Sequence, residues 1–249
     1  RGGRVARAEN SAASPTIAGD ATRVRVRARD DRDLAPRARS KRMLCAVVSG
    51  VAPRILTFGD SLTAGFTSPS APRTPYASIL SSRIGFEAVS SGVVTESVHS
   101  MPPRLERELA ASSFNSVVIL GGSNDLWKGD ADAIFATLLE LYGIARERTS
   151  PSPGLPRLGL ATMPPFYLRP FYEWLDFTGI GEKTDATRRA VNDRIRAEAA
   201  RCDDAVLADL GRLTEAEPAF MAEDGIHLTP EAYRRLGEEV AGAFGAYRE

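Results

Sequence analysis

A serine near the front of the chain and a histidine near its end carry the side chains that nucleophilic catalysis requires. Ser61 follows the apolar run Ile55–Phe58 in the stretch ILTFGDSLTAGF. A serine hydroxyl is a weak nucleophile until a neighbouring base removes its proton. Histidine is the natural base at neutral pH because its ordinary pKa is about 6.5, and the chain contains only two histidines. Ser61 alone could equally be a turn or capping residue, so its interpretation depends on its neighbours.

The two histidines differ in their acidic neighbours. His227 lies three residues after Asp224 in EDGIHLTP, close enough for the Asp224 carboxylate to reach the outer ring nitrogen. A carboxylate in that position fixes the tautomer of the imidazole and stabilises its protonated form. Glu223 is the weaker candidate for the same role. His99, in SVHSMPP, has no acid at a comparable spacing on its C-terminal side, and we expect a structural or solvent-facing loop residue.

The sequence also offers donors for an oxyanion hole, which attack on a carbonyl group requires. Three are predicted: the backbone N–H of Ser61, the backbone N–H of Gly92 in VSSGVVTES, and the side-chain amide of Asn124 in GGSND. Glycine and asparagine are also ordinary turn and capping residues. The catalytic interpretation is favoured because separate strand ends each carry one of the required groups.

The elements that would position these residues alternate between short apolar strands and longer helical stretches from Arg54 onward. Strands are predicted at 54–58, 86–90, 116–121, 157–162 and 205–210. Apolar residues at steps of three and four predict helices between and after them. Strand-then-helix units of this kind favour a parallel sheet between helices, in which functional groups gather at the carboxyl ends of the strands.

Three of these helices have clear apolar stripes. The stretch 130–147 carries its stripe at Ile134, Phe135, Leu138, Leu141, Tyr142 and Ala145. The stretch 184–200 carries one at Ala186, Ala190, Val191, Ile195 and Ala199. The stretch 229–247 opens with Thr229 as its N-cap and Pro230 at its first helical position. Its stripe is predicted at Tyr233, Leu236, Val240, Phe244 and Tyr247.

Four blocks of the sequence, taken in order, resemble those of the SGNH (GDSL-type) hydrolase family of esterases and lipases: FGDSLTAG, the glycine of SSGVV, GGSND and DGIHLTPEAY. The resemblance implies a flavodoxin-like three-layer α/β/α sandwich with a five-stranded parallel sheet. By matching position it implies Ser61 as nucleophile with Asp224 and His227 as its catalytic partners. It implies Ser61, Gly92 and Asn124 as the oxyanion hole. It implies no metal and no organic cofactor.

One position departs from the family's pattern. Family members often have a second glycine shortly after the glycine of the second block, whereas Val94, Thr95 and Glu96 occupy that neighbourhood here. Thr95 or Glu96 would narrow the site or add polarity. We therefore expect the departure to affect substrate preference more than the chemistry.

The resemblance implies a serine hydrolase that cleaves carboxylic esters through an acyl-enzyme on Ser61. Its expected partner is a small-molecule ester: a short acyl ester, an acetylated sugar or a lysolipid. An acyltransferase on the same residues and a non-catalytic glycan- or acyl-binding protein are the alternatives. The net charge is zero and the body of the chain is acidic, which gives no reason to expect nucleic-acid binding. No apolar run approaches the ~18 residues of a membrane span.

Other residues are expected to have supporting roles. Asp60 and Asp125 should hydrogen-bond neighbouring loops. The aromatic segment 164–177 is either a wall or lid for a substrate or an irregular excursion packed on the body. Cys45 and Cys202 are too few for a disulfide framework, and we expect free thiols.

The N-terminal residues differ in composition from the rest. Residues 1–54 hold 13 basic and 5 acidic residues, and 1–42 lack hydrophobic periodicity, so we expect 1–53 to be a disordered Arg-rich extension. It resembles a transit peptide, a nucleic-acid-binding arm or a segment outside the working protein, and Met43 opens a short stretch like a weak signal-peptide core. The location depends on residues 1–53 and is left open between cytoplasmic and organellar, with secretion as the weaker alternative. The esterase domain is predicted at 54–249.

Overall fold

The computed structural model describes residues 52–166 and 180–247. Cys45, residues 1–51 of the predicted extension and most of the aromatic segment lie outside the described residues. The described strands are β1 (Arg54–Gly59), β2 (Glu87–Gly92), β3 (Ser116–Leu120), β4 (Leu158–Ala161) and β5 (Ala205–Ala208). The described α-helices are α1 (Ala77–Ile84), α2 (Met101–Ala111), α3 (Ala131–Arg148), α4 (Ile180–Arg201), α5 (Leu210–Ala216) and α6 (Pro230–Ala246).

The strands form one parallel sheet in the order β2-β1-β3-β4-β5. This is the strand order of flavodoxin-like folds, so the predicted α/β class is confirmed. Every strand boundary lies within two residues of its predicted place. The agreement has a physical reason, since a strand covered on both faces is a continuous apolar run, as in β3, where every residue is buried.

Helices cover both faces of the sheet because side chains alternate in direction along each strand. In β1, Leu56 and Phe58 belong to a core formed with α2, α3 and α4. Ile55 belongs to a second core formed with α1 and α6. Each such side chain stabilises the fold by about 1.5–3 kcal/mol when fully buried. The described residues therefore form the three-layer α/β/α sandwich that the family resemblance implied.

The apolar stripes of α3 and α6 are largely confirmed. In α3 the predicted residues are buried except Phe135, which is partly buried and packs against the core. In α6 the Thr229 hydroxyl accepts the Ala232 amide and Pro230 is the first helical residue, as predicted. Its stripe is buried as far as Phe244, whereas Tyr247 is exposed.

The stripe predicted for α4 is partly wrong. Val191 and Ile195 are buried, but Ala186 and Ala190 are exposed. The buried face of α4 contains polar side chains instead, among them Arg188, Asn192, Thr187 and Glu198. Asn192 both donates to and accepts from the backbone of Met163 at 2.8 Å, just beyond β4. Burial is tolerated because hydrogen-bond partners satisfy these polar groups. Some partners lie outside α4, as for Asn192, and some lie on α4 itself, as for Thr187, whose hydroxyl donates to the Lys183 carbonyl.

The carboxyl ends of β1 and β3 approach each other unusually closely. A Cβ atom on Gly59 would lie 1.7 Å from the carbonyl oxygen of Leu120, so only glycine fits at the end of β1. The Asp60 amide then donates to the same Leu120 oxygen at 3.3 Å. The residues that follow β1 and β3 are thereby brought to one edge of the sheet.

Candidate active site

Ser61 lies in a tight turn at the carboxyl end of β1. The Ala64 amide donates to the Asp60 carbonyl and the Phe66 amide donates to the Ser61 carbonyl, both at 3.0 Å. Together with the bond from Asp60 to β3, these contacts fix the turn against the sheet edge. Ser61 is 5% exposed, so its hydroxyl is held in a largely enclosed position.

His227 reaches Ser61 from the loop before α6. The Nε2 atom of His227 lies 3.0 Å from the Oγ of Ser61, and its Nδ1 lies 2.6 Å from the Oδ2 of Asp224. The Oδ1 of Asp224 accepts the backbone amides of Ile226 and His227, both at 2.9 Å. The structure thus brings the three predicted side chains into one continuous chain of hydrogen bonds.

The loop that carries His227 is held from several sides. The Ala222 amide donates to the His227 carbonyl at 2.8 Å, and Met221 and Leu228 form an antiparallel bridge. The ring of Phe66 meets the imidazole edge-on, with 4.6 Å between ring centroids. These contacts orient the imidazole through its backbone and through its ring.

The surroundings of the Asp224 carboxyl favour its ionised form. Burial raises its pKa, but hydrogen bonds from the His227 ring and from the amides of His227 and Ile226 outweigh burial, so the pKa of Asp224 lies below its ordinary value. A carboxylate here favours the N–H tautomer at Nδ1 and leaves Nε2 to accept the Ser61 proton. Glu223, the weaker candidate, is exposed, and Asp224 occupies the position beside the ring.

Asn124 lies in a short 3-10 helix, Ser123–Lys128, directly after β3. Its Nδ2 donates one hydrogen to the Glu96 carbonyl at 3.0 Å. A side-chain amide carries two N–H groups, so a second donor is left for another acceptor. The Asn124 carbonyl accepts the indole N–H of Trp127 at 2.7 Å. The residue is thus fixed through both its side chain and its backbone.

Gly92 ends β2 and is paired with Gly59 of β1. A Cβ atom on Gly92 would lie 2.1 Å from the Ala64 nitrogen and 2.7 Å from the Asp60 carbonyl oxygen, so glycine is required by the turn that follows β1. The Val93 amide donates to the Gly59 carbonyl at 3.1 Å. Because successive amides along a strand alternate in direction, the Gly92 N–H is directed away from β1. Its role in an oxyanion hole stays a prediction.

Asp60 and Asp125 both bind neighbouring backbone, as predicted. The Oδ1 of Asp60 accepts the Leu62 amide at 3.0 Å. Burial raises the pKa of Asp60 from 3.8 to about 7, although the hydrogen bond from the Leu62 amide acts against the rise. Asp125, which is 1% exposed, accepts the Val98 amide at 2.7 Å. Both carboxyls support the strand ends without contacting the Ser61 hydroxyl.

The remaining candidates stand apart from this site. His99 is exposed and its Nδ1 lies 2.8 Å from the Thr137 hydroxyl, which agrees with the expected solvent-facing role. Cys202 is a partly buried free cysteine. The part of the chain that the structure describes contains no group of three or more histidine, cysteine or acidic residues that could hold a metal ion. Within those same residues, no helix has both the length and the apolar character of a membrane span.

The chain is similar to known proteins in both sequence and fold. Residues 57–235 match the GDSL-like lipase/acylhydrolase family. Similar solved structures include a lipolytic protein of the G-D-S-L family from Veillonella parvula (19% identity, TM-score 0.62, 78% of this chain and 99% of the other). A second is the M. smegmatis aryl esterase (23% identity, TM-score 0.60, 78% of this chain and 99% of the other). A third is a carbohydrate acetylesterase family member from Sinorhizobium meliloti (18% identity, TM-score 0.60, 79% of this chain and 99% of the other). The comparison with curated proteins gave no match.

The structural similarities, all at low identity, show a shared fold. The family match is independent of them and spans more than half of the chain, from the second half of β1 through the loop before α6. It agrees with the resemblance carried by the four sequence blocks. The chain therefore belongs to the GDSL-like lipase/acylhydrolase family and is an ester-cleaving hydrolase.

Proposed function

We propose that residues 54–249 form a serine esterase that cleaves carboxylic esters through an acyl-enzyme on Ser61. The observation that carries the proposal is the chain of hydrogen bonds from Ser61 through His227 to Asp224, at 3.0 and 2.6 Å. His227 takes the Ser61 proton as the hydroxyl attacks the carbonyl carbon, and it delivers that proton to the leaving alcohol as the ester bond breaks. Asp224 holds the imidazole in the required tautomer.

Water completes the cycle by the reverse proton path. His227 removes a proton from water, and the resulting hydroxide oxygen bonds to the acyl carbon. The bond between that carbon and the Ser61 oxygen then breaks, and His227 returns its proton to Ser61. Free carboxylic acid leaves, and the scheme requires no metal and no organic cofactor.

The proposed donors to the tetrahedral oxygen are the amides of Ser61 and Gly92 and the Nδ2 of Asn124. Asn124 has the strongest support, because it follows β3 at the same sheet edge as Ser61 and keeps a second amide hydrogen. A donor already in place before the reaction stabilises the developing charge without reorganisation, and the loss of one typically lowers kcat by about 10²-fold or more.

The substrate is proposed to be a small ester with an apolar or aromatic part, with acetylated sugars and lysolipids as the other candidates. Support comes from Trp127, whose side chain is 58% exposed although its indole N–H is fixed on Asn124. The aryl esterase and the carbohydrate acetylesterase family member among the similar structures support small esters in general. A panel of p-nitrophenyl esters of rising chain length, with a peracetylated sugar and a lysophospholipid, ranks these classes.

The test of the proposed function is turnover of p-nitrophenyl acetate by the wild-type chain and by Ser61→Ala. We expect the substitution to lower kcat/KM by ~10³-fold or more. Turnover at the wild-type rate in Ser61→Ala removes the assignment. Product analysis with an added alcohol distinguishes hydrolysis, which gives free acid, from acyl transfer, which gives a new ester. A non-catalytic binding protein would give neither product.

A further inference from the structure

A single arginine on α2 binds the carboxyl ends of two strands. The Arg104 guanidinium, 13% exposed, donates to the Gly59 carbonyl at 2.9 Å, at the end of β1. It also donates to the Ser91 hydroxyl at 2.6 Å, one residue before the end of β2. Its charged group lies 3.8 Å from the ring centroid of Phe58. Arg104 therefore fixes the residues immediately before the Ser61 turn and before Gly92.

The same guanidinium holds a loop residue beyond β2. The Nε of Arg104 donates to both carboxylate oxygens of Glu96, at 2.9 and 3.1 Å, and the Glu96 side chain is 10% exposed. Glu96 follows Thr95, whose φ of 64° lies in the left-handed region. That conformation costs a non-glycine residue about 1–2 kcal/mol, so neighbouring contacts must hold it.

The backbone of the same loop receives the side chain of Asn124. The Glu96 carbonyl accepts the Asn124 Nδ2 at 3.0 Å. Asp125, the residue after Asn124, also binds this loop, because its carboxylate accepts the Ser97 hydroxyl and the Val98 amide, both at 2.7 Å. The side chain of Glu96 is thus held by Arg104. Its backbone carbonyl accepts one hydrogen of the Asn124 amide and so fixes the direction of that hydrogen.

We propose that Glu96 and Arg104 are positioning residues that act on the reaction through Asn124. This inference rests on the proposed function, in which the Asn124 amide stabilises the tetrahedral oxygen. One Asn124 hydrogen bound to the Glu96 carbonyl leaves the other with a fixed direction, because the amide group is planar. The ion pair between Glu96 and Arg104 keeps that carbonyl in place, which is the preorganisation that an oxyanion donor needs.

The pair could instead serve stability alone, so the test must separate the two roles. Glu108 offers a matched control, because it also accepts Arg104 Nη1 at 2.9 Å but lies on α2, away from the loop that receives Asn124. Glu96→Gln and Glu108→Gln each remove one carboxylate from the same guanidinium. We expect Glu96→Gln to lower kcat by about 10-fold with KM within about 2-fold, and Glu108→Gln to change kcat by less than about 2-fold.

The decisive measurement is a double-mutant cycle on p-nitrophenyl acetate with Asn124→Ala. If Glu96 acts through Asn124, Glu96→Gln should change kcat by less than about 2-fold once Asn124 is alanine. A general structural role leaves the full loss of about 10-fold in both backgrounds and overturns the proposal. Equal losses in Glu96→Gln and Glu108→Gln overturn it as well.

Arg104→Lys provides a second variant should Glu96→Gln fold poorly. Lysine keeps the charge but cannot make the paired hydrogen bonds of a guanidinium. Because Arg104 also holds the Gly59 carbonyl before the Ser61 turn, we expect a loss of kcat of at least about 10-fold, of which Asn124→Ala should mask about 10-fold. A loss of the same size in both backgrounds overturns the proposal. Failure of the proposed function would be recognised separately, because Ser61→Ala would then keep wild-type turnover whatever the result of the double-mutant cycle.

Discussion

The imidazole of His227 and the hydroxyl of Ser61 lie 3.0 Å apart although 166 positions of the chain separate them. Ser61 is held by the turn after β1, and His227 is held by the loop before the capped start of α6. The turn after β1 and the loop before α6, each held by its own local contacts, therefore bring their side chains together at one edge of the sheet. The chemistry proposed for the chain depends on that meeting.

Substitution of either Ser61 or His227 should remove most of the rate enhancement that the two residues produce together. His227→Ala leaves the Ser61 hydroxyl without a base, and we expect kcat to fall by ~10³-fold or more. Because the two groups act as one unit, the double variant with Ser61→Ala should be no slower than the slower single variant. Steady-state kinetics on p-nitrophenyl acetate measure this, and losses that multiply would mean that the residues act separately.

Asp224→Asn should lower kcat by about 10²–10⁴-fold with the fold intact, because the amide cannot hold the same tautomer of His227. Glu223→Gln, one position away and exposed, is the matched control and should keep wild-type kinetics. Since hydrogen bonds hold the pKa of Asp224 below its ordinary value, its carboxylate stabilises the fold above about pH 4 and loses that effect as the pH falls further. Equal activity of the two variants contradicts the assignment.

Asn124→Ala should lower kcat by about 10²-fold while KM changes little, because the proposed donor acts on charge that develops only in the transition state. The assay is saturation kinetics with a short ester, accompanied by circular dichroism to confirm the fold. A rise in KM with unchanged kcat would place Asn124 in substrate binding instead.

Gly92→Ala should damage both stability and activity. The added Cβ would overlap the backbone of Ala64 and Asp60, so the turn that carries Ser61 must move, and we expect a loss of more than about 2 kcal/mol in the free energy of unfolding. Gly143→Ala on α3 is the control, since its Cβ would meet nothing within 4 Å, and it should stabilise the chain by about 0.5–1 kcal/mol. Denaturant titration measures both, and a neutral Gly92→Ala contradicts the close approach.

Asp60 should make stability fall as the pH rises from about 4 to 7. Burial raises its pKa from 3.8 to about 7, so in this range the native state binds a proton that the unfolded state has released. The free energy of unfolding then decreases with pH, by at most about 1.4 kcal/mol per unit. Asp60→Asn removes this titration, and its stability relative to wild type should rise with pH. Parallel stability curves would show that Asp60 does not titrate in this range.

The parts of the fold and site that the sequence predicted are those encoded by neighbouring residues. The apolar runs predicted every described strand, and the short spacings around Asp224 and Thr229 predicted an acid–histidine pair and a helix cap. Each of these features depends on residues within a few positions of one another. Their physical cause is therefore visible in a short window of sequence.

The parts that the sequence did not predict depend on distant partners. Arg188 is buried on α4 because Asp185 and the remote Glu215 accept its hydrogen bonds, and nothing in the helical pattern indicates the second partner. Arg104 likewise binds Gly59, 45 positions away. Charged residues of this kind have the sequence signature of a solvated helix face, so only the tertiary structure reveals that they are buried.

The most direct test of the central claim is labelling with a fluorophosphonate probe, followed by mass spectrometry of the modified peptide. The probe reacts with an activated serine, so we expect one phosphonate adduct on Ser61, formed far more slowly in His227→Ala and absent in Ser61→Ala. An adduct on a different serine, or undiminished labelling of Ser61→Ala, would contradict it.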